Sequence, residues 1–217
     1  MGSLTIKGST SGDVTLVAPA VAGTSTLTLP ATTAALITGS SPSITTPTIT
    51  GSILNASGRP MAAQTGGILQ VLQVVKTDTF STSATTYTDI TGLSLSITPS
   101  STSSRILILF QVVATGANVN YLLLVRNSTA IAYGDAAGSR VQATTGNLNR
   151  AGDNNLAFSF SNMYIDSPAT TSATTYKLQT RTENGTNAVY VNRTIADTDS
   201  SVGMRTLSNI TLMEIAG

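Results

Sequence analysis

The chain contains no cysteine, no histidine and no tryptophan. Without cysteine no disulfide can staple the fold, and the redox compartment leaves no trace. Without histidine or cysteine there is no Ser-His-Asp triad, no cysteine nucleophile and no ordinary zinc site. Charge is scarce as well. Only 10% of the 217 residues are charged, with 11 Lys and Arg against 10 Asp and Glu, a net charge of +1. That balance excludes the broad basic face that nucleic-acid binding needs, and it leaves no polybasic membrane patch. No apolar run approaches the ~20 residues of a membrane-spanning helix. No basic and apolar leader follows Met1. Phosphate-cradling glycine motifs are absent too. Carboxylate-only chemistry such as glycoside hydrolysis remains formally open, since it needs just two acids. Most of the acids, however, stand beside turns, where solvated turn formers are the ordinary reading. The expectation is a non-enzymatic protein with no cofactor and no bound metal. Asp197-Thr198-Asp199 offers oxygen ligands for calcium, but no Gly-rich loop or distal Glu accompanies it.

What the chain does have is Thr, Val, Ile, Ser and Gly. β-Branched residues fit a pleated sheet better than a helix, and no stretch sustains a 3.6-residue period. The chain therefore reads as all-β. Its first third differs from the rest, because no aromatic occurs before Phe80 and Lys7 and Asp13 are its only charges before Arg59. Asp13–Val17 and Thr24–Pro30 alternate like half-buried strands, punctuated by Gly and Pro. Strands this short cannot offset their own chain entropy, about 1–2 kcal/mol per residue, and so need a partner, either further copies wrapped together or another protein; the alternative is a flexible Ser/Thr linker. Ser41–Arg59 reads as an extended connector, with prolines an inner strand would refuse. The predicted division is 1–66, an N-terminal attachment or shaft segment, and 67–217, a self-sufficient domain.

In the second part, strands are expected at Ile68–Lys76, Leu93–Ile97, Arg105–Val113, Tyr121–Arg126, Ala130–Tyr133, Leu156–Tyr164, Tyr176–Glu183, Ala188–Asn192 and Leu207–Ile215. Arg105–Val113 is apolar on both faces, as a central strand would be. Asn127–Thr129 and Asn184-Gly185 read as hairpin turns. About nine strands at this spacing suit an antiparallel β-sandwich, jelly-roll-like or similar, with the strand order open. Asn-x-Ser/Thr sequons stand at Asn127, Asn184, Asn192 and Asn209. The best recognition candidate is the loop stretch Gly134–Asn155, with Arg140, Asn147, Arg150, Asp153, Asn154 and Asn155 as candidate receptor-binding residues. Arg, Asn and Asp present directed donors and acceptors suited to glycan hydroxyls or phosphates. Tyr121 and Tyr133 would add an apolar face. The competing reading pairs Arg140 and Arg150 with Asp135 and Asp153 at a subunit contact.

Leu4–Leu16, Ala18–Thr24 and Leu27–Thr33 together resemble a module of tail fibres and related virion proteins of bacteriophages, cyanophages among them. Phe80–Leu93, Ile97–Ser104, Gly134–Arg140 and Asp166–Thr171 are similar to the C-terminal domains of such fibres. The resemblance implies a homotrimeric virion protein, assembled in the host cytoplasm. Its N-terminus would attach to other tail or baseplate proteins, and its C-terminal knob would present loops to a host surface glycan or protein. It implies neither nucleic-acid binding nor membrane insertion. At this length a capsid decoration protein stabilising the phage head is the alternative.

Overall fold

A computed structural model describes residues 3–7, 13–17, 66–149 and 154–217. The chain divides into two compact units, Met1–Ile49 and Thr50–Gly217. In the first, β1 (Ser3–Lys7) and β2 (Asp13–Val17) form an antiparallel pair, with Thr5 opposite Thr15. The sequence anticipates β2. The expected strand at Thr24–Pro30 and the connector at Ser41–Arg59 lie outside the described residues.

The second unit holds two antiparallel sheets and, among its described residues, no helix. One sheet is built on β6 (Arg105–Thr115), the longest strand among the described residues. β13 (Ser208–Ile215) and β10 (Phe158–Asp166) flank it, and β3 (Ile68–Lys76) pairs with β13. β12 (Val189–Val191) takes up the end of β6 and carries β4 (Phe80–Thr82). In the other sheet β11 (Thr174–Thr182) lies between β5 (Thr88–Ile97) and β7 (Val119–Arg126). β8 (Thr129–Ile131) and β9 (Thr145–Leu148) share the far side of β7. The pairing of the longer strands is nested. β3 meets β13, β5 meets β11, β6 meets β10, and β7 meets β9.

Side-chain alternation explains the layers. Ile106, Ile108, Phe110 and Val112 of β6 point inward and are buried, as are Tyr176 and Leu178 of β11 and Ile210 and Leu212 of β13. One position breaks the period. Gly92 adopts a φ of 87°, a left-handed conformation that favours glycine. Opposite it the β5–β11 register shifts between Lys177 and Gln179. The extra residues reset the pleat so that both Ile90 and Leu93 face the core.

The sequence locates most of these strands but misplaces one turn. Asn127, with a φ of 53°, turns β7 tightly into β8 as expected. Asn184-Gly185 does not close a hairpin. β11 belongs to one sheet and β12 to the other, so this turn carries the chain across the sandwich. Local turn chemistry fixes the bend and leaves open which edge the next strand joins. Asn192 is fully buried rather than available as a sequon. Its amide donates to the carbonyls of Lys76 (2.9 Å) and Asp78 (3.0 Å) and accepts from the Ser208 hydroxyl (2.6 Å). That hydroxyl in turn accepts from the Val113 amide (3.0 Å). One side chain thus ties the ends of β3, β6 and β13 together.

Candidate functional site

The connection from β8 to β9 turns back beside the sheet, because its last residue is fastened to β7. The Thr144 amide donates to the Leu122 carbonyl at 2.8 Å, and the Thr144 hydroxyl accepts from the Leu124 amide at 2.9 Å. Gln142 donates to the Gly134 carbonyl at 2.8 Å, closing the loop on itself. The Tyr87 hydroxyl donates to the Gln142 carbonyl at 2.7 Å, anchoring the loop to the start of β5. β9 packs close on β7: a side chain at Gly146 would come within 2.8 Å of the Asn120 carbonyl. Asn120 also donates to the Asn147 side-chain oxygen at 3.0 Å.

These contacts enclose an open groove of about 500 Å³. Tyr121 of β7, Asn147 and Leu148 of β9, and Asp135, Arg140 and Gln142 of the loop line it. Tyr121 is braced from the neighbouring strand: the guanidinium of Arg181, its register partner on β11, lies 5.6 Å from its ring centre and 5.9 Å from that of Tyr87. Burial pushes the Tyr87 phenol up to about 12, against the opposing pull of Arg181, so it stays a donor at any ordinary pH. Arg140 is exposed. It donates to the Ala137 carbonyl at 3.2 Å and makes no ion pair with Asp135. The Asn147 amide nitrogen is buried against the groove without a protein acceptor. An aromatic face, an exposed guanidinium and side-chain amides together can hold a hydroxylated or anionic group.

Of the residues proposed from sequence, Arg140 and Asn147 meet in this groove. Asn154 and Asn155 do not line it: the Asn154 carbonyl accepts from the Ala196 amide at 3.1 Å, beside a different loop. Arg150 and Asp153 lie outside the described residues. Tyr121 lines the groove, whereas Tyr133 is exposed and is not among the lining residues. Sequence reasoning missed Tyr87 and Arg181, which come from distant strands and carry no local signal. It also read Thr145–Leu148 as loop, because Thr-Gly-Asn-Leu is a poor strand former that extends only through pairing with β7.

A second hollow, lined by Thr194, Asp197, Thr198, Asp199 and Arg205, covers the residues considered for calcium. There Asp197 pairs with Arg205 and, at 3.3 Å, with Arg193. The Arg205 hydrogen bond leads in lowering the Asp197 pKa. With its charge already met by two guanidiniums, this carboxylate is poorly suited to a cation. Among the described residues no three His, Cys, Asp or Glu side chains gather to hold a metal.

No family model matches the sequence, and no curated protein matches it. Among solved structures, the chain is similar to one in "Structure of infectious bursal disease virus Gx strain", at 14% identity. The match covers 77% of this chain and 47% of that one, so the chain spans about half the length of its match. The TM-score is 0.34, a superposition too loose to carry an argument about fold or function.

Proposed function

We propose that this protein is a structural subunit of a phage virion, a short self-associating tail fibre whose β-sandwich recognises a host surface group. The observation that carries the reading is the nested strand order. Among the longer strands of the second unit, the outermost in sequence pair with each other and so inward, β3 with β13, β5 with β11, β6 with β10 and β7 with β9, which gives the runs β3-β13-β6-β10 in one sheet and β5-β11-β7-β9 in the other. That order supports the jelly-roll-like expectation, and jelly rolls build viral capsids and lectin domains. Fold analogy alone does not assign a function. The groove at Tyr121, Arg140 and Asn147 adds the chemistry of recognition, and the sequence resemblance adds the virion.

Labelled protein is expected to bind candidate host cells saturably, with intact particles competing. Arg140→Ala is expected to weaken that binding roughly tenfold to a hundredfold, the worth of one charge-assisted hydrogen bond. Its melting temperature should hold, because Arg140 is exposed and its side chain's hydrogen bond goes to a neighbouring backbone carbonyl, that of Ala137. Binding unchanged by this substitution would remove the groove from the reading. A second reading, capsid decoration, is favoured by the same strand order, which capsid-building domains share. It predicts stoichiometric binding to heads and no adsorption to cells. Deleting residues 1–59 is expected to leave a folded sandwich and to abolish incorporation into particles; a truncated chain that still assembles would refute the N-terminal attachment.

A further inference from the structure

The outer faces of the two sheets differ in chemistry. On the β5-β11-β7 sheet, Lys177 and Gln179 donate to Asp89 at 2.8 and 2.6 Å, and Arg181 stacks on tyrosines, so that face is polar and internally paired. The β3-β13-β6-β10 sheet carries no charged side chain across the middle of its outer face. Register places its residues in rows. Val71, Met213, Leu107 and Ile165 form one row, and Gln73, Thr211, Leu109 and Met163 form the next. The third is Val75, Asn209, Gln111 and Ser161. Met163 is 63% exposed, Val71 53% and Ile165 47%, so large apolar side chains stand in water here. The polar members bond within the face, Gln73 to Thr211 at 2.9 Å and Gln111 to Ser159 at 3.1 Å. Beside Met163 lies a shallow hollow lined by Leu109, Gln111, Ser161 and Asn209.

We infer that this face is covered by a second copy of the same chain. Three features select that occupant. The rows named carry no charge, and Arg105, the charged residue on the same side of β6, stands at the strand's end, so the middle of the face can meet a copy of itself without burying an unpaired ion. Met163 stands proud beside a hollow, so each copy offers both a knob and a seat, as a self-complementary contact requires. The size also suffices. Strands about 4.8 Å apart, with a rise of about 3.3 Å per residue, make the face roughly 20 by 25 Å. Two copies would bury roughly 1,000 Å², where specific association begins. β10 further presents an edge with no Lys or Pro to blunt it, and among the described residues no strand but β6 pairs with it. The inference deepens the self-associating part of the proposed function by naming the face.

The test is the mass of the full chain in solution, by light scattering across a concentration series. The unaltered chain is expected to run at a multiple of 22.2 kDa. Met163→Lys with Ile165→Lys should bring it down to a single chain with unchanged circular dichroism. Val71→Lys, at the opposite end of the first row, should do the same and guards against a folding defect in β10. Ser94→Lys on the other sheet should change nothing. A chain that is single at every concentration, or lysine variants that stay assembled, would overturn the inference. Cell adsorption separates this from the recognition reading. A single chain that still adsorbs overturns the face alone; an assembly that dissociates with the lysines but neither adsorbs nor joins particles overturns recognition alone.

Discussion

Asp166→Ala is expected to cost about 3–5 kcal/mol of unfolding free energy, the range for breaking a buried ion pair from one side. Asp166 ends β10 in one sheet, and its carboxylate meets residues of the other. Both its oxygens accept from Arg126 at 2.9 Å, and one accepts from the Tyr176 hydroxyl at 2.6 Å. Tyr176 is fully buried in β11, and Arg126 ends β7. Burial, joined by the hydrogen bond to Asp166, pushes the Tyr176 phenol far up, so its proton stays in place to donate. Removing the carboxylate strands a mostly buried guanidinium and a buried hydroxyl at once. Asp166→Asn keeps an acceptor for Tyr176 but loses the charge, and should cost about half as much. Urea unfolding followed by circular dichroism measures both. A loss below about 1 kcal/mol for the alanine variant would mean that the two sheets do not depend on this clamp.

Acid should unfold the protein through Glu214. This residue of β13 is almost fully buried. Burial by itself raises a carboxyl pKa, but the hydrogen bonds here outweigh it. The Ser100 amide and hydroxyl donate at 2.7 and 2.6 Å, and Gln70 donates at 2.6 Å. The result is a pKa of about 2, against 4.5 for a free glutamate. Because the folded value lies below the unfolded one, the stabilisation is complete above pH 4.5 and is lost as pH falls towards 2. The difference corresponds to about 3 kcal/mol. Glu214→Gln should lower stability at neutral pH by about 2–3 kcal/mol and flatten the decline below pH 4.5. A variant with the same acid limb as the parent would show that other carboxylates govern it.

How much of this was legible in the sequence depends on how local each cause is. β3, β6 and β13 announce themselves because runs such as Ile106–Phe110 alternate or stay apolar over many residues. The central place of β6 followed from its being apolar on both faces. Pairing partners were not legible, since a strand's hydrophobic face says that it is covered but not by what. Hence Asn184-Gly185 looked like a hairpin and is a crossing. The same limit applies to the groove. Arg140 and Asn147 were readable as loop donors within one Gly-punctuated stretch. Their meeting with Tyr121, and the bracing by Tyr87 and Arg181, depend on β7, β5 and β11 being neighbours. Glu214 and Asp166 read as ordinary acids at strand ends, because burial is a property of the finished sheet.

The nested order also dictates a timetable. β13 lies between β3 and β6, yet it leaves the ribosome long after both. Until Ser208–Ile215 arrive, β3 and β6 lack the neighbour that joins them, and neither Glu214 nor Ser208 is present to hold its partners. Closing contacts between such remote segments is slow, and the waiting edges are exposed to other chains meanwhile. Chains being made side by side therefore face a choice between waiting for their own last strand and borrowing one. For a protein with so few charges to keep neighbours apart, slow insertion of β13 is expected to lower the yield of native protein.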